Sequence, residues 1–261
     1  MANFYFDVSY ISRNQGRSAS AAAAYRSGER LNDDYYGRIH DYTHKAGILY
    51  TKIFLTPTAP REYNDRQTFV NAIEKAEKRC DSRLFREIKA SLPNELKLRE
   101  QIELVEEYVI DNFVANGMCA DVVIHEGKHT NNPKKNNPHI HILLSTRTAD
   151  SDGFCTKKNR DWDKRANVIL WREQWSRVQN REYERNGFDV RVSHESLYVQ
   201  GIDREPAPYL CRTDWQREKR GEQTPRGDER RAVKARNKER EEYKRQHERE
   251  QYREHARSRS R

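Results

Sequence analysis

The chain has 261 residues, of which 34% are hydrophobic and 35% are charged, and its net charge is +9. This length fits one large domain or a domain with an extension, and the basic balance favours an anionic partner. No apolar run approaches the roughly 20 residues of a membrane span. The four cysteines lie far apart without a Cys-x-x-Cys pair, so they indicate neither a zinc ribbon nor a disulfide framework. We therefore expect a cytoplasmic protein with free thiols and no membrane insertion.

The positive charge is concentrated at the C-terminal end. Residues 212–261 contain 18 Lys and Arg against 11 Asp and Glu, so they carry +7 of the net charge. From Gln216 onward the segment has few apolar residues and no hydrophobic face, which is typical of a solvated single helix or of disorder. The sequence predicts a folded domain over residues 1–211 and a charged basic extension over residues 212–261.

Hydrophobic patterns predict the first elements in chain order. Alternation over residues 3–11 predicts a strand, and the alanines from Ala19 onward predict a helix to about Arg30, with Ser18 as its N-cap. The small alanines would let this helix pack closely and leave Tyr25 exposed. The elements expected next are a polar loop over residues 32–44, a strand over 46–55, a helix over 62–79 and a strand over 84–92.

The second half of the domain continues the alternation of helices and strands. An amphipathic helix is expected over residues 95–116, ended by Gly117. The further elements are strands over 120–125 and from 139, a loop over 150–161, a helix over 163–186 and a short strand over 189–192. This order predicts an α+β fold with a central antiparallel sheet and flanking helices.

Two histidines occur in the segment from Asn137 to Arg147, which otherwise resembles a buried strand. Side chains at positions i and i+2 of a strand point to the same face, so His139 and His141 can reach one metal ion. The apolar residues between them face the opposite way. A pair of histidines on a half-exposed strand without a metal is the simpler alternative.

A metal centre with open positions usually takes a third protein ligand. His125 ends the preceding strand, and the polar segment between the two strands contains Gly127 and Pro133, which are typical of a loop. The two strands would then be hairpin neighbours, with His125 beside His139. His129 is the competing ligand, but it lies in the loop.

Several motifs together carry a resemblance to a known family. His125, followed by Asn137-Pro138-His139-Ile140-His141 and Arg147, resembles the HUH signature of the MobA/MobL family of plasmid relaxases. Three further segments are similar to motifs of that family, in the same order: Ile11–Glu29, Arg86–Pro93 and Gln200–Pro206. The similarity extends from about residue 3 to about residue 210. It implies a sheet of about five strands that carries a metal site.

The resemblance implies that Tyr25 is a nucleophile and that His125, His139 and His141 bind Mn²⁺ or Mg²⁺. A nearby cation would favour the phenolate of a tyrosine, and tyrosine attack on DNA would give a 5′-phosphotyrosine. All-histidine ligation suits Mn²⁺ better than Mg²⁺, which prefers oxygen ligands. Tyr35, Tyr36 and Tyr42 are rivals for the nucleophile.

Glu87 lies in a segment that resembles a family motif whose acidic residues orient a ligand histidine or transfer protons. This chain has Lys89 where a second acidic residue often stands, which leaves Glu87 as the main catalytic candidate. A surface glutamate on a strand is the alternative. Four basic residues are expected to contact DNA phosphates: Arg147, Lys157, Lys158 and Arg204.

The resemblance implies a relaxase that nicks one strand at a plasmid origin of transfer and initiates conjugative mobilisation. The expected partners are single-stranded or supercoiled plasmid DNA, accessory mobilisation proteins, a coupling protein and a separate helicase. One alternative is a rolling-circle replication initiator with the same chemistry. Another is a non-catalytic basic DNA-binding protein with a structural metal. An exposed Tyr25 close to the three histidines would distinguish a relaxase from the non-catalytic protein.

Overall fold

A computed structural model describes residues 4–128, 131–133 and 136–259. The chain forms two compact units, Met1–His194 and Glu195–Arg261. The domain boundary expected at residue 211 rests on composition and stays a prediction.

A five-stranded sheet forms the centre of the first unit, and its strands in spatial order are β1 (Phe6–Ser12), β5 (Arg83–Ser91), β7 (His139–Ser145), β6 (Ala120–His125) and β4 (Ile48–Phe54). All four neighbouring pairs are antiparallel, which confirms the predicted sheet of about five strands.

Helices pack on both faces of this sheet. The helices of the first unit are α1 (Ala19–Ser27), α2 (Arg66–Ala76), α3 (Leu98–Asn112) and α4 (Arg165–Arg185). Ile140 and Ile142 of β7 are buried in a core with α3 and α4. Leu143 points to the other face, where α1 and α2 form a second core. Since His139 and His141 share the parity of Leu143, they lie on the face that α1 and α2 cover.

The predicted helix at Ala19 is α1, and local interactions explain its position. The Ser18 side chain accepts a hydrogen bond from the Ala21 amide at 3.0 Å, and Glu74 of α2 accepts one from the Ala19 amide at 2.5 Å. Four alanines of α1 are buried, whereas Tyr25 is 50% exposed. The small residues therefore bring α1 close to the sheet and leave Tyr25 at its surface.

Three sequence-based expectations are wrong. Residues 32–44 are not a loop throughout, because β2 (Arg30–Asp33) and β3 (Arg38–Asp41) form an antiparallel hairpin. This hairpin is largely exposed, so its strands lack apolar alternation. The predicted loop over residues 150–161 likewise contains the end of a small hairpin of β8 (Ala149–Asp150) and β9 (Gly153–Phe154), and a short 3₁₀ helix.

The strand expected over residues 189–192 is also absent. The side chain of Asn180 in α4 forms the backbone hydrogen bonds that a neighbouring strand would otherwise form with this segment. Its side chain accepts from the Val192 amide and donates to the Val192 carbonyl, both at 2.8 Å.

The described residues of the second unit form two helices, α5 (Arg212–Lys219) and α6 (Pro225–Arg259). The charged extension is therefore helical over most of its described length. No helix in the part of the chain that the structure describes is long and apolar enough to cross a membrane.

Candidate metal centre and nucleophile

Three histidines face one another at the edge of the sheet surface that α1 covers. His125 of β6 pairs directly with His139 of β7, and His141 follows two positions along β7. The ring centroids are 5.0 to 5.3 Å apart. One nitrogen from each ring lies within 4.8 Å of the others, which is compatible with one shared cation.

The backbone at the base of the β6–β7 hairpin helps to bring these rings together. The Asn137 amide donates to the Gly127 carbonyl at 2.9 Å. Gly127 has a φ of +57°, and a Cβ there would lie 1.9 Å from the Asn137 carbonyl oxygen. Only glycine fits this close approach. His129 lies outside the described residues. The choice of His125 over His129 as the third ligand therefore stays a prediction.

In each of the three imidazole rings, one nitrogen forms a hydrogen bond to a carbonyl or carboxylate oxygen, and such an oxygen can only accept a hydrogen bond. His125 Nε2 donates to the Arg26 carbonyl at 2.8 Å, and His139 Nδ1 donates to the Asn137 carbonyl at 2.8 Å. His141 Nδ1 donates to Glu87 at 2.9 Å. Because a neutral imidazole carries one proton, the other nitrogen of each ring is left as an acceptor. Partners of this kind orient histidines for metal binding.

The local environment favours the neutral form of two of these histidines. Burial lowers the pKa of His125 to about 4. Burial also lowers the pKa of His141, although the hydrogen bond to Glu87 opposes this effect. Both rings are therefore neutral at physiological pH, which is the form that binds metal ions.

Glu87 of β5 is fully buried, so the alternative of a surface glutamate is excluded. Its Oε1 atom accepts from His141 and from Arg26 Nε at 2.7 Å. Burial alone would raise the pKa of Glu87, but the hydrogen bond from His141 and the charge of Arg26 lower it to about 2. The carboxylate is thus ionised and in contact with a candidate ligand. Its catalytic or positioning role stays a prediction.

Two further cations approach the other oxygen of Glu87. Arg17 Nη2 lies 3.9 Å and Lys89 Nζ lies 3.8 Å from Oε2, an atom that has no hydrogen bond. Burial and the charge of Arg26 lower the pKa of Arg17. The sequence reasoning did not assign roles to Arg17 and Arg26, although both lie in the N-terminal motif.

Lys45 lies close to both Tyr25 and His125, and no sequence pattern indicated its role. Lys45 Nζ donates to the Tyr25 carbonyl at 2.5 Å and lies 4.0 Å from the centroid of the Tyr25 ring. The same ammonium is 3.5 Å from His125 Nε2. Burial and the charge of Arg26 lower the pKa of Lys45. Tyr25 also immediately precedes Arg26, whose carbonyl binds His125.

The rival tyrosines occupy different positions. The Tyr42 ring packs edge-on against Tyr25, with centroids 5.3 Å apart. Tyr35 lies under the guanidinium of Arg13, which is bonded to the C-terminal part of α2. Tyr36 packs on Tyr35 at the end of the β2–β3 hairpin. Of the three rival tyrosines, Tyr42 is therefore the one that packs against Tyr25. The role of Tyr25 as the nucleophile stays a prediction.

Within the first unit, the structure does not bring the expected DNA-binding residues Arg147, Lys157 and Lys158 to the histidine centre. Arg147 and Lys158 bind Glu77 at 2.8 and 3.0 Å, beyond the opposite end of β7. Lys157 is exposed nearby, and Arg204 is exposed in the second unit. Their contacts with DNA stay predictions.

The donor set fits a divalent cation. Imidazole ligands carry no charge, so a bound ion would keep its full positive charge. One carboxylate and two backbone carbonyls fix the orientation of the three rings. Imidazole ligands suit Mn²⁺, and Mg²⁺ is the poorer match by intrinsic preference. His125, His139 and His141 are the residues that would hold the ion.

An antiparallel sheet with helices on both faces and three facing histidines defines an α+β domain with a candidate metal centre. The MobA/MobL family model matches residues 17–220. The chain therefore belongs to the MobA/MobL family, which confirms the family inferred from its motifs.

Individual relatives agree with this assignment. Mobilization protein MobL of Acidithiobacillus ferridurans is 34% identical over 237 residues, which cover 80% of this chain and 62% of MobL. Conjugal transfer protein TraA of Rhizobium radiobacter is 32% identical over 240 residues, which cover 80% of this chain and 21% of TraA. The chain thus spans less than two thirds of the length of either relative.

A solved structure described as the molecular basis of vancomycin resistance transfer in Staphylococcus aureus has a similar fold. Its TM-score is 0.67 at 32% identity, and the match covers 74% of this chain and 98% of that chain.

Proposed function

We propose that this protein is a relaxase that nicks one DNA strand at a plasmid origin of transfer and thereby initiates mobilisation. The observation that carries the proposal is the position of Lys45, which contacts the exposed Tyr25 and also His125. A nucleophile candidate and a metal-centre candidate therefore share one cationic neighbour. Kinship with mobilisation and conjugal transfer proteins supports the same activity.

In the proposed reaction, Tyr25 Oη gives up its proton to solvent and attacks the scissile phosphorus, and the bond from phosphorus to the 3′-oxygen breaks. The products are a 5′-phosphotyrosine on Tyr25 and a free 3′-hydroxyl, which takes up a proton. The phosphodiester is conserved in the protein–DNA bond and can be re-formed by the 3′-hydroxyl. Mn²⁺ or Mg²⁺, when bound, supplies Lewis-acid stabilisation of the charge that develops on the phosphate.

The residues of the chain position these groups. Glu87 orients the His141 ring and, with Arg26, fixes the site between β5 and α1. Arg17 and Lys89 add positive charge around Glu87, which favours an incoming phosphate. Lys45 holds Tyr25 at the edge of the centre.

Other expected contacts and partners extend this proposal. Arg147, Lys157, Lys158 and Arg204 would bind backbone phosphates away from the cut. Accessory mobilisation proteins, a coupling protein and a separate helicase would act with the relaxase on supercoiled plasmid DNA.

The decisive experiment is detection of the covalent intermediate. Incubation with 3′-labelled single-stranded transfer-origin DNA and Mn²⁺ should yield a protein–DNA adduct that resists denaturant, with the linkage at Tyr25. The change Tyr25→Phe removes only the hydroxyl, so DNA and metal binding should persist while the adduct is lost. Tyr42→Phe is the matched control, since Tyr42 packs on Tyr25, and it should form adduct normally.

The possible failures are distinguishable. An adduct that moves to Tyr42 in Tyr25→Phe would reassign the nucleophile and keep the mechanism. Cleavage by the wild type without any adduct would reject the relaxase mechanism, because a water molecule would then be the nucleophile.

A further inference from the structure

Positively charged side chains approach the histidine centre from two sides. Lys45 precedes β4, and its Nζ atom lies 3.5 Å from His125 Nε2. On the other side, Lys89 of β5 pairs directly with His141 of β7. Side chains that oppose each other across antiparallel strands lie on the same face of the sheet, so Lys89 and His141 share a face. The centre thus has a lysine on each side.

The charge of Glu87 does not fully compensate the nearby cations. Its Oε1 atom accepts hydrogen bonds from Arg26 and His141, whereas its Oε2 atom is buried without a hydrogen bond. Arg17 and Lys89 lie 3.9 and 3.8 Å from Oε2, and both distances are longer than a hydrogen bond. The side chains of Arg17 and Lys89 are 38% and 37% exposed. Both cations are therefore accessible to a ligand.

The charges around the neutral histidines sum to a positive value. Two negative charges come from Glu87 and from Asp7 of β1, which pairs in register with Lys89. Four positive charges come from basic side chains, so the net charge is +2: Arg17, Arg26, Lys45 and Lys89. Because like charges repel, the metal-free centre disfavours a divalent cation and favours an anion.

We propose that the scissile phosphate enters this centre before the divalent cation, and that each then raises the affinity of the protein for the other. The proposal rests on the proposed function, which supplies a phosphodiester as the anion. The three imidazoles provide donor atoms for the cation, and the phosphate provides the negative charge that the imidazoles lack. The non-bridging oxygens of the phosphate can also fill the coordination positions that three protein ligands leave open.

This coupling between DNA and the cation is reciprocal. If DNA raises the affinity of the protein for the cation by a given factor, the cation raises the affinity for DNA by the same factor. Without DNA, the positive charge around the histidines weakens binding of the cation. The cation is therefore retained mainly when a DNA strand is in place.

Lys89 is the residue best placed to carry the coupling. Within the described residues it has one ion pair, the 3.8 Å contact with Glu87. Lys45, by contrast, donates to the Tyr25 carbonyl, and Arg26 is only 6% exposed. Lys89 can therefore exchange its long contact for a phosphate oxygen while Lys45 and Arg26 keep their partners.

The test measures binding of Mn²⁺ by the full chain and does not depend on cleavage. The protein carries Tyr25→Phe, so that no covalent product forms. Electron paramagnetic resonance reports free Mn²⁺ with and without a single-stranded oligonucleotide that spans the transfer origin. The same protein with His139→Ala added lacks one candidate ligand and measures the Mn²⁺ that DNA binds by itself.

We expect the oligonucleotide to raise the Mn²⁺ affinity at least fivefold, since couplings between sites are typically about 5- to 150-fold. Adding Lys89→Gln removes a positive charge, so it should raise the Mn²⁺ affinity of the free protein and reduce the gain from DNA. Arg177→Gln is the matched control, because it removes an exposed positive charge from α4, on the other face of the sheet. It should leave both values unchanged.

Equal Mn²⁺ affinities with and without the oligonucleotide would overturn the proposal. So would a full gain from DNA in the Lys89→Gln protein, or a loss of Mn²⁺ affinity by that protein without DNA, since Lys89 would then help to build the metal centre. Adduct formation by the wild type without any coupling would keep the nicking reaction and reject only the order of binding. Coupling without an adduct would reject the nicking reaction alone, because the coupling is measured without the nucleophile.

Discussion

His141 Nδ1 donates a hydrogen bond of 2.9 Å to Glu87 Oε1, and the same oxygen accepts from Arg26. The Glu87 side chain is completely buried and that of Arg26 is 6% exposed. A buried ion pair between α1 and β5 therefore terminates on a candidate metal ligand. The Glu87 carboxylate therefore supports both the packing of α1, the helix that carries Tyr25, and the orientation of the His141 ring.

Glu87→Gln tests this dependence. The amide is similar in size but lacks the charge that balances Arg26 and strengthens His141 as a ligand. We expect Mn²⁺ affinity to fall roughly 10- to 100-fold and the free energy of unfolding to fall by about 3 kcal/mol, the scale for breaking a buried pair. Calorimetric titration and urea denaturation without metal measure the two effects.

Glu106→Gln is the control for this change, since Glu106 binds Lys52 at the surface. It should leave Mn²⁺ affinity unchanged. If Glu87→Gln bound Mn²⁺ as tightly as the wild type, Glu87 would have no part in orienting the ligand.

The stability of the metal-free protein should decrease on acidification. Burial lowers the pKa of His125 from 6.5 to about 4, so the unfolded chain binds more protons than the folded one between these values. This contribution is complete above pH 6.5 and is lost as the pH falls to about 4. Glu87, with its pKa lowered to about 2, adds a further loss below pH 4.5. Urea denaturation in EDTA at pH 7, 5.5 and 4 measures the trend.

His125→Asn should flatten the dependence of stability on pH between 6.5 and 4, because it removes this proton uptake. His44→Asn, a change at an exposed histidine, is the comparison and should retain the wild-type slope. A slope unchanged by His125→Asn would mean that other groups cause the loss of stability.

The histidine pair could be predicted because the period of a strand fixes which side chains share a face. His139 and His141 alternate with Ile140 and Ile142, and the core contains the isoleucines as expected. Ala120–His125 was expected as a strand with the bounds that the structure shows. The local sequence pattern was therefore sufficient to predict strands that have one buried face.

The contacts that complete the site depend on long-range packing and could not be read locally. Arg26 reaches Glu87 across 61 positions of sequence, and Lys45 reaches His125 across 80. Lys45 follows a hairpin that was expected to be a loop, so its direction was unknown. The same limitation applies to Arg147, which follows the histidine strand in sequence but binds Glu77 beyond the far end of β7.

Lys45→Met should impair formation of the Tyr25 adduct more than binding of metal or DNA. Lys45 holds the Tyr25 carbonyl and ring, and small misplacements of a nucleophile cost up to about 100-fold in rate. We expect single-turnover adduct formation to slow at least tenfold, with Mn²⁺ affinity at or above the wild-type value. Lys45→Arg should restore part of the rate, since a guanidinium also packs on aromatic faces.

Lys52→Met is the matched control, because Lys52 is bonded to Glu106 at 2.7 Å, and it should react at the wild-type rate. Equal slowing in Lys45→Met and Lys45→Arg, with a lower melting temperature in both, would assign Lys45 to folding alone.

The basic extension should bind DNA more strongly when the ion pairs between its helix α6 and residues 203 and 205 are removed. Within the second unit, Glu205 binds Arg236 and Arg240, both at 2.7 Å, and Asp203 lies 3.3 Å from Lys244. These three cations recur every four residues on one side of α6 and are partly neutralised by the acidic residues of the 200–206 motif.

Asp203→Asn with Glu205→Gln should therefore raise the affinity for single-stranded DNA and steepen the log–log salt slope by up to about 2, at roughly 0.7 for each of three freed cations. Glu239→Gln with Glu248→Gln removes the same negative charge from exposed positions of α6 and should change the slope less, because it frees no paired cation. Fluorescence anisotropy at several salt concentrations measures the slopes, and circular dichroism follows the helix content. If both double variants steepened the slope equally, net charge alone would govern binding by the extension. A loss of helix confined to Asp203→Asn with Glu205→Gln would instead show that the ion pairs stabilise α6 and do not mask it.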